Sequence, residues 1–198
     1  MDVGKLKASF VKAAELLERW LILQESASRI LSNAGNILQR MQALHKAHNF
    51  AALNDAATTQ RLVLSKQSQV LDTVLVRLQT AIAGMDALVQ EQERTCLVAW
   101  RALGAGCPAP EAGKLLDAGL SPAALVEAVE GLWCCCRQEL AVKAAVVSQL
   151  RHATTPADFE LLQRVFTGQS LHHCSGVCVG GGGEGRDGEA NIHDDASA

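Results

Sequence analysis

Residues 5–48 read KLKASFVKAAELLERWLILQESASRILSNAGNILQRMQALHKAH. Alternating steps of four and three pick out Leu6, Phe10, Ala13, Leu17, Trp20, Gln24, Ala27, Leu31, Ala34, Leu38, Met41 and His45. Ten of these twelve positions are apolar, which is a heptad pattern that a strand, with its period of two, cannot use. At about 1.5 Å per residue the stretch predicts a helical rod of roughly 65 Å. Gly35 is its weak point, costing about 1 kcal/mol relative to Ala and permitting a bend.

Outward from this rod, Asn49 to Thr59 is small and polar, with Asn54-Asp55 as a turn signal. A second heptad seam follows from near Gln60: Leu71, Leu75, Leu78, Ile82, Met85, Val89, Gln92, Cys96, Ala99 and Leu103. Two long heptad helices joined by a short loop are expected to fold back as an antiparallel hairpin. Residues 104–120 form a Gly/Pro/Ala linker, with room for one turn at Lys114–Ala118. Ser121-Pro122 reads as an N-cap followed by Pro at the first helical position. The third helix so started runs to about His152, with Leu125, Val129, Leu132, Trp133, Cys136, Leu140, Val147 and Leu150 facing inward. Thr155-Pro156-Ala157-Asp158 repeats the cap, with an acid three residues on. It opens a short fourth helix carrying Phe159, Leu162, Val165 and Phe166, which stops at Gly168. The expected fold is therefore all-α: a long coiled-coil-like hairpin, a third helix and a short fourth.

The domain boundary falls at residue 167. Residues 168–198 hold eight of the sixteen glycines, and five acids against one Arg, so this tail is expected to be disordered. Residues 1–167 balance 17 basic against 16 acidic groups, and the whole chain carries −3. That balance lacks the basic excess of a nucleic-acid binder, so no direct nucleic-acid contact is expected. No apolar run approaches the roughly 18 residues of a membrane helix, and MDVGKLKASF has no signal-peptide pattern. Seven cysteines, an odd number, are then expected as free thiols in a reducing compartment.

Groups with chemistry are few. Cys134-Cys135-Cys136 cannot converge on one metal, because consecutive helical residues diverge by about 100°. Cys136 is expected in the core and its neighbours at partly buried edges. His172, His173, Cys174, Cys178 and His193 have ligand chemistry but no scaffold to hold tetrahedral geometry. The Gly180–Gly183 run lacks the strand, helix and Lys of a phosphate loop. His45 and His48 suit a helix C-terminus better than catalysis, and Trp20 and Trp100 fall on or beside the seams as core. No nucleophile and base stand together on rigid elements, so neither enzymatic activity nor a cofactor is expected. Long helices instead suit the presentation of extended faces to partner proteins, with Trp133, Arg137, Glu139 and Lys143 as candidate contacts. The alternative for the last three is a solvated face with Glu139–Lys143 as an i,i+4 pair.

The third helix carries a resemblance. Arg137-Gln138-Glu139-Leu140, followed by Lys143, Val146, Leu150 and His152, resembles a pattern of the cyclin-dependent kinase 2-interacting protein family. Pro156 and Phe166 fall at matching distances, and Trp20-Leu21-Ile22-Leu23 is similar to a tryptophan-led run of that family, although Cys136 replaces its Tyr. A ribosome maturation factor that accompanies the same ATPases resembles the chain more loosely. The resemblance implies a non-enzymatic adaptor of nucleus and cytoplasm. Its partners would be the subunits of an AAA+ ATPase assembly in ribosome maturation and replication or genome maintenance, together with a cyclin-dependent kinase. Arg137, Glu139, Lys143 and His152 become partner-binding residues on this reading. Glu139 and Lys143 would flank one exposed strip, so exchanging their charges should spare the fold, while Arg137 binds separately or braces the hairpin. A coiled-coil subunit of a trafficking or kinetochore complex would share the heptads but not the Arg137–His152 pattern.

Overall fold

Asp2 opens the first helix by accepting a 3.0 Å hydrogen bond from the Lys5 backbone N–H, while its own N–H donates to the Ala102 carbonyl at 2.8 Å. In the computed structural model, which describes residues 1–52, 55–104 and 119–168, this cap begins α1, Val3–Leu44. The helix ends four residues before the expected His48, and the reason is local. Asn49 Nδ2 donates to the Ala43 carbonyl and Gln60 Nε2 to the Leu44 carbonyl, both at 2.7 Å, filling acceptors that a helix end leaves open. A 3₁₀ turn at Ala47–Phe50 leads to α2, Ala56–Leu103, which Gly104 terminates at φ +89°. Ser121 Oγ accepts from the Ala124 N–H at 3.1 Å and starts α3, Pro122–Gln149. This helix stops three residues short of His152, since Leu150 is extended and Thr154 Oγ1 takes the Arg151 N–H. Thr155 Oγ1 accepts from the Asp158 N–H at 3.2 Å and donates to its carboxylate, capping α4, Pro156–Gly168.

The fold is all-α, as expected, with no strand among the described residues. α1 and α2 pair antiparallel, bringing Leu6 beside Ala99 and Ala102, Ala13 beside Cys96, and Trp20 beside Met85 and Val89. α3 lies along the hairpin through Leu125, Val129, Cys136, Leu140 and Val147, and α4 returns against α1 and α3. Every seam position expected in α2 is buried or half-buried. In α1 the seam is shifted at two places: Ser9 and Leu16 are buried, while Phe10 is exposed and Leu17 half-buried. The indole of Trp20 is fully buried and donates to Gln24 Oε1 at 3.0 Å, which accounts for a polar residue on an apolar seam.

Further expectations are corrected. Trp100 is 45% exposed, not core. At Gly35 α1 is continuous, and a Cβ there would overlap the Phe159 ring, lying within 2.7 Å of its Cζ. The glycine is the seat that lets α4 approach α1. Cys96, Cys134 and Cys136 are free thiols, but Cys135 is disulfide-bonded, so the expectation of seven free thiols does not hold. No described helix is long and apolar enough to cross a membrane. The expected turn at Lys114–Ala118, the His/Cys group after residue 171, the Gly180–Gly183 run and the tail from residue 169 lie outside the described residues.

Candidate partner interface on the third helix

The four residues singled out on and after the third helix separate into three environments. Glu139 is 4% and Lys143 1% exposed, so they do not form a contact strip on the surface. The Lys143 ammonium reaches across to α4, donates to the Phe166 carbonyl at 2.6 Å and sits 4.4 Å from the centroid of the Phe166 ring. Glu139 Oε1 lies 3.1 Å from the ammonium, one helical turn back, as an ion contact too oblique for a hydrogen bond. A buried charge persists only when paired and hydrogen-bonded. Here the pair, the carbonyl and the ring face together supply that compensation. Lys143 also places positive charge at the C-terminus of α4, where the helix dipole favours it. The same burial argues against the expectation that exchanged charges would be tolerated. A carboxylate at 143 would confront a carbonyl oxygen and an aromatic face.

His152 lies beyond the end of α3 and joins the turn before α4 to α2. Its Nδ1 is 2.8 Å from Ser68 Oγ and its Nε2 is 2.7 Å from Asp72 Oδ1. This arrangement latches the α3–α4 corner to the hairpin. Arg137 is exposed, as His152 is, but is not engaged in the latch, and its guanidinium lies 5.5 Å from the centroid of the Trp133 ring. Trp133 is half-buried against Ala13, Cys96 and Val129, and its indole N–H is enclosed without a hydrogen-bond partner among the described residues. An Arg stacked on a Trp is the composition that dominates binding hot spots. Farther along α3, a cleft of about 370 Å³ opens between α2 and α3 over Ile82, Leu140, Ala144 and Val147, with Asp86 and Gln79 at its rim.

The thiols nearby are not set up as nucleophiles. Burial pushes the Cys136 thiol up to about 11, against a weaker opposing effect of its 3.5 Å contact with Gln92 Nε2. Burial, then the Glu130 carboxylate, also raises Cys96. Both are neutral at pH 7, where a reactive cysteine would be a thiolate. Among the described residues, no group of three or more His, Cys, Asp and Glu is placed to hold a metal ion.

Sequence reasoning missed the acceptor of Lys143, the Ser68–His152–Asp72 latch and the seat at Gly35. The useful signal lay in apolar neighbours. Lys143 stands between Leu140 and Val146, on a stretch too apolar to leave a lysine in solvent.

These elements define an all-α scaffold whose third helix braces the hairpin inwardly and presents a Trp–Arg pair outwardly. Over residues 3–173 the chain matches the family described as ribosome biogenesis protein C1orf109-like, and it belongs to that family. No individual curated protein matches it.

Proposed function

We propose that the protein is a non-enzymatic adaptor in ribosome biogenesis that joins an AAA+ ATPase assembly through the outer surface of α3. The observation that carries this reading is the family match, which spans α1 to α4 and names ribosome biogenesis. It favours the resemblance to the ribosome maturation factor over that to the kinase-interacting protein. Binding of a cyclin-dependent kinase and a part in DNA replication are retained as finer readings of the same adaptor. The fold supports an adaptor on physical grounds, because long helices offer extended faces to partners. Within α3 the contact is assigned to Trp133 and Arg137. Glu139 and Lys143 are committed to the interior, and His152 to the α2 latch. The reading also places the protein in nucleus and cytoplasm.

Affinity purification of the full-length chain from cells, followed by mass spectrometry and gradient analysis of immature large subunits, tests the proposal. Copurification of AAA+ ATPase subunits with large-subunit precursors is expected. Recovery of trafficking or kinetochore subunits in their place would replace it with the coiled-coil alternative. A catalytic or redox role would appear as an activity that replacement of the cysteines abolishes without unfolding the chain.

A further inference from the structure

The hairpin has a second surface, lined by α1 and α2 alone. Three depressions of about 270, 310 and 440 Å³ run along it and share Lys5, Val98 and Glu91, so they form one groove. Its charges are regularly spaced. Lys5, Lys12 and Arg19 follow one another at intervals of seven residues on α1, as do Arg94 and Arg101 on α2. Seven residues return a side chain to nearly the same helical face, about 10.5 Å farther along. The groove therefore has two basic walls.

Acids neutralise only part of this charge. Asp2 pairs with Lys5 at 3.2 Å, and Glu91 takes Lys12 at 3.0 Å and Arg19 at 3.4 Å. The Lys12 ammonium, by hydrogen bond, holds the Glu91 carboxyl below its ordinary value. Glu15 lies 4.0 Å from Lys12 at the margin. Arg94 and Arg101 are exposed and have no carboxylate partner among the described residues. Between the walls lie small and apolar groups: Ala8, Gly84, Ala87, Val98 and Ile22, the last 67% exposed.

We infer that this groove receives an amphipathic helix of a partner protein whose acidic residues recur at heptad intervals, which adds a helix to the bundle opposite α3. The inference rests on the adaptor reading and assigns it a second surface with a defined partner chemistry. Cation spacing of about 10.5 Å matches carboxylates seven residues apart on a docked helix, whereas phosphates along a duplex strand recur every 3.4 Å. The small floor allows two helix axes to approach closely, and its apolar atoms would be covered by a partner's apolar stripe. No aromatic ring lines the groove to stack a base. A second copy of this chain would bring the same basic walls and be repelled. The chain's own acids between 184 and 195 include only one pair seven residues apart, Asp187 and Asp194.

The test uses full-length protein and a defined probe: a fluorescent, stapled, three-heptad peptide with a Leu stripe flanked by Glu. Its Glu→Lys counterpart and a uridine-only RNA are titrated alongside. The acidic peptide is expected to bind in a salt-sensitive manner, and Arg94→Glu with Arg101→Glu to weaken it tenfold or more at unchanged melting temperature. The same double variant should gain binding of the basic peptide, a reversal that misfolding cannot produce. Equal binding of both peptides by the native chain, unchanged binding by the double variant, or binding of RNA alone would overturn the inference. So would peptide binding that appears only after the acids of residues 184–195 are neutralised, since the tail would then be the occupant. Because the probe is synthetic, these outcomes are independent of which proteins copurify with the chain, and failure of the adaptor reading would be seen separately.

Discussion

The side chain of Lys143 on α3 closes the end of α4 by donating to the backbone carbonyl of Phe166, at 2.6 Å. A helix C-terminus leaves carbonyls without intrahelical donors, and the usual remedies are a glycine turn or a nearby cation. In this fold the cation comes from another helix and is itself buried, so tertiary structure and helix capping are one interaction.

Lys143→Ala should therefore be among the most damaging single substitutions. It strands the Glu139 carboxylate and the Phe166 carbonyl together, and loss of one member of a buried pair costs about 3–5 kcal/mol. Exchange of the two charges should also destabilise the fold, because a carboxylate would then face the carbonyl. Urea denaturation checks both, with early proteolysis of α4 as the local signature.

Gly35→Ala reverses an ordinary rule. In an open helix interior the change stabilises by about 0.5–1 kcal/mol. Here the added methyl meets the Phe159 ring, and overpacking of this kind costs about 1–3 kcal/mol. Thermal unfolding of Gly35→Ala alone, and combined with Phe159→Leu, separates the cases. The smaller side chain should recover part of the loss.

Cys136 makes stability depend on alkaline pH. Its thiol has an ordinary value of 9.0 and is raised to about 11 in the fold, so folding favours the protonated form. The associated stability is fully present below pH 9 and is lost as pH rises from 9 towards 11. Across that window the native protein should lose more in melting temperature than Cys136→Ala. At neutral pH, Cys134, which is half-buried, should alkylate before Cys136.

Arg137→Ala should be nearly silent in stability, within about 0.5 kcal/mol, as for exposed positions generally. Its effect is expected in partner recovery, and Trp133→Ala should reduce recovery further, since truncation removes the ring on which the guanidinium rests. Quantitative copurification at matched expression checks both. Unchanged recovery would leave the Trp–Arg pair as a packing feature.

Much of the fold is legible because it depends on repetition and on local caps. Ser121 before Pro122 and Thr155 before Pro156 mark their helices without reference to anything distant, and the α2 heptads lie on the buried side throughout. The α1 seam is less certain from sequence because Phe10 beside Ser9, and Leu16 beside Leu17, permit two registers. Packing against α2 and α3 selects the one that exposes a phenylalanine. The contact residues were harder to read. A lysine and a glutamate four apart look like a solvated pair, and nothing near Lys143 in sequence announces the Phe166 carbonyl 23 residues later. His152 falls outside the helix expected to contain it, and its partners Ser68 and Asp72 are more than 75 residues away.

The double anchorage of α4 has a kinetic consequence. Its two fixed points, the seat at Gly35 and the Lys143 ammonium, belong to different helices and exist as a pair only once α3 lies on the hairpin. Docking of α4 is thus expected late in folding, and its release is expected to be an opening that leaves the longer helices paired. Amide hydrogens of residues 160–168 should exchange with solvent through this partial opening, at a lower free energy than those around Trp20 and Met85, which await global unfolding.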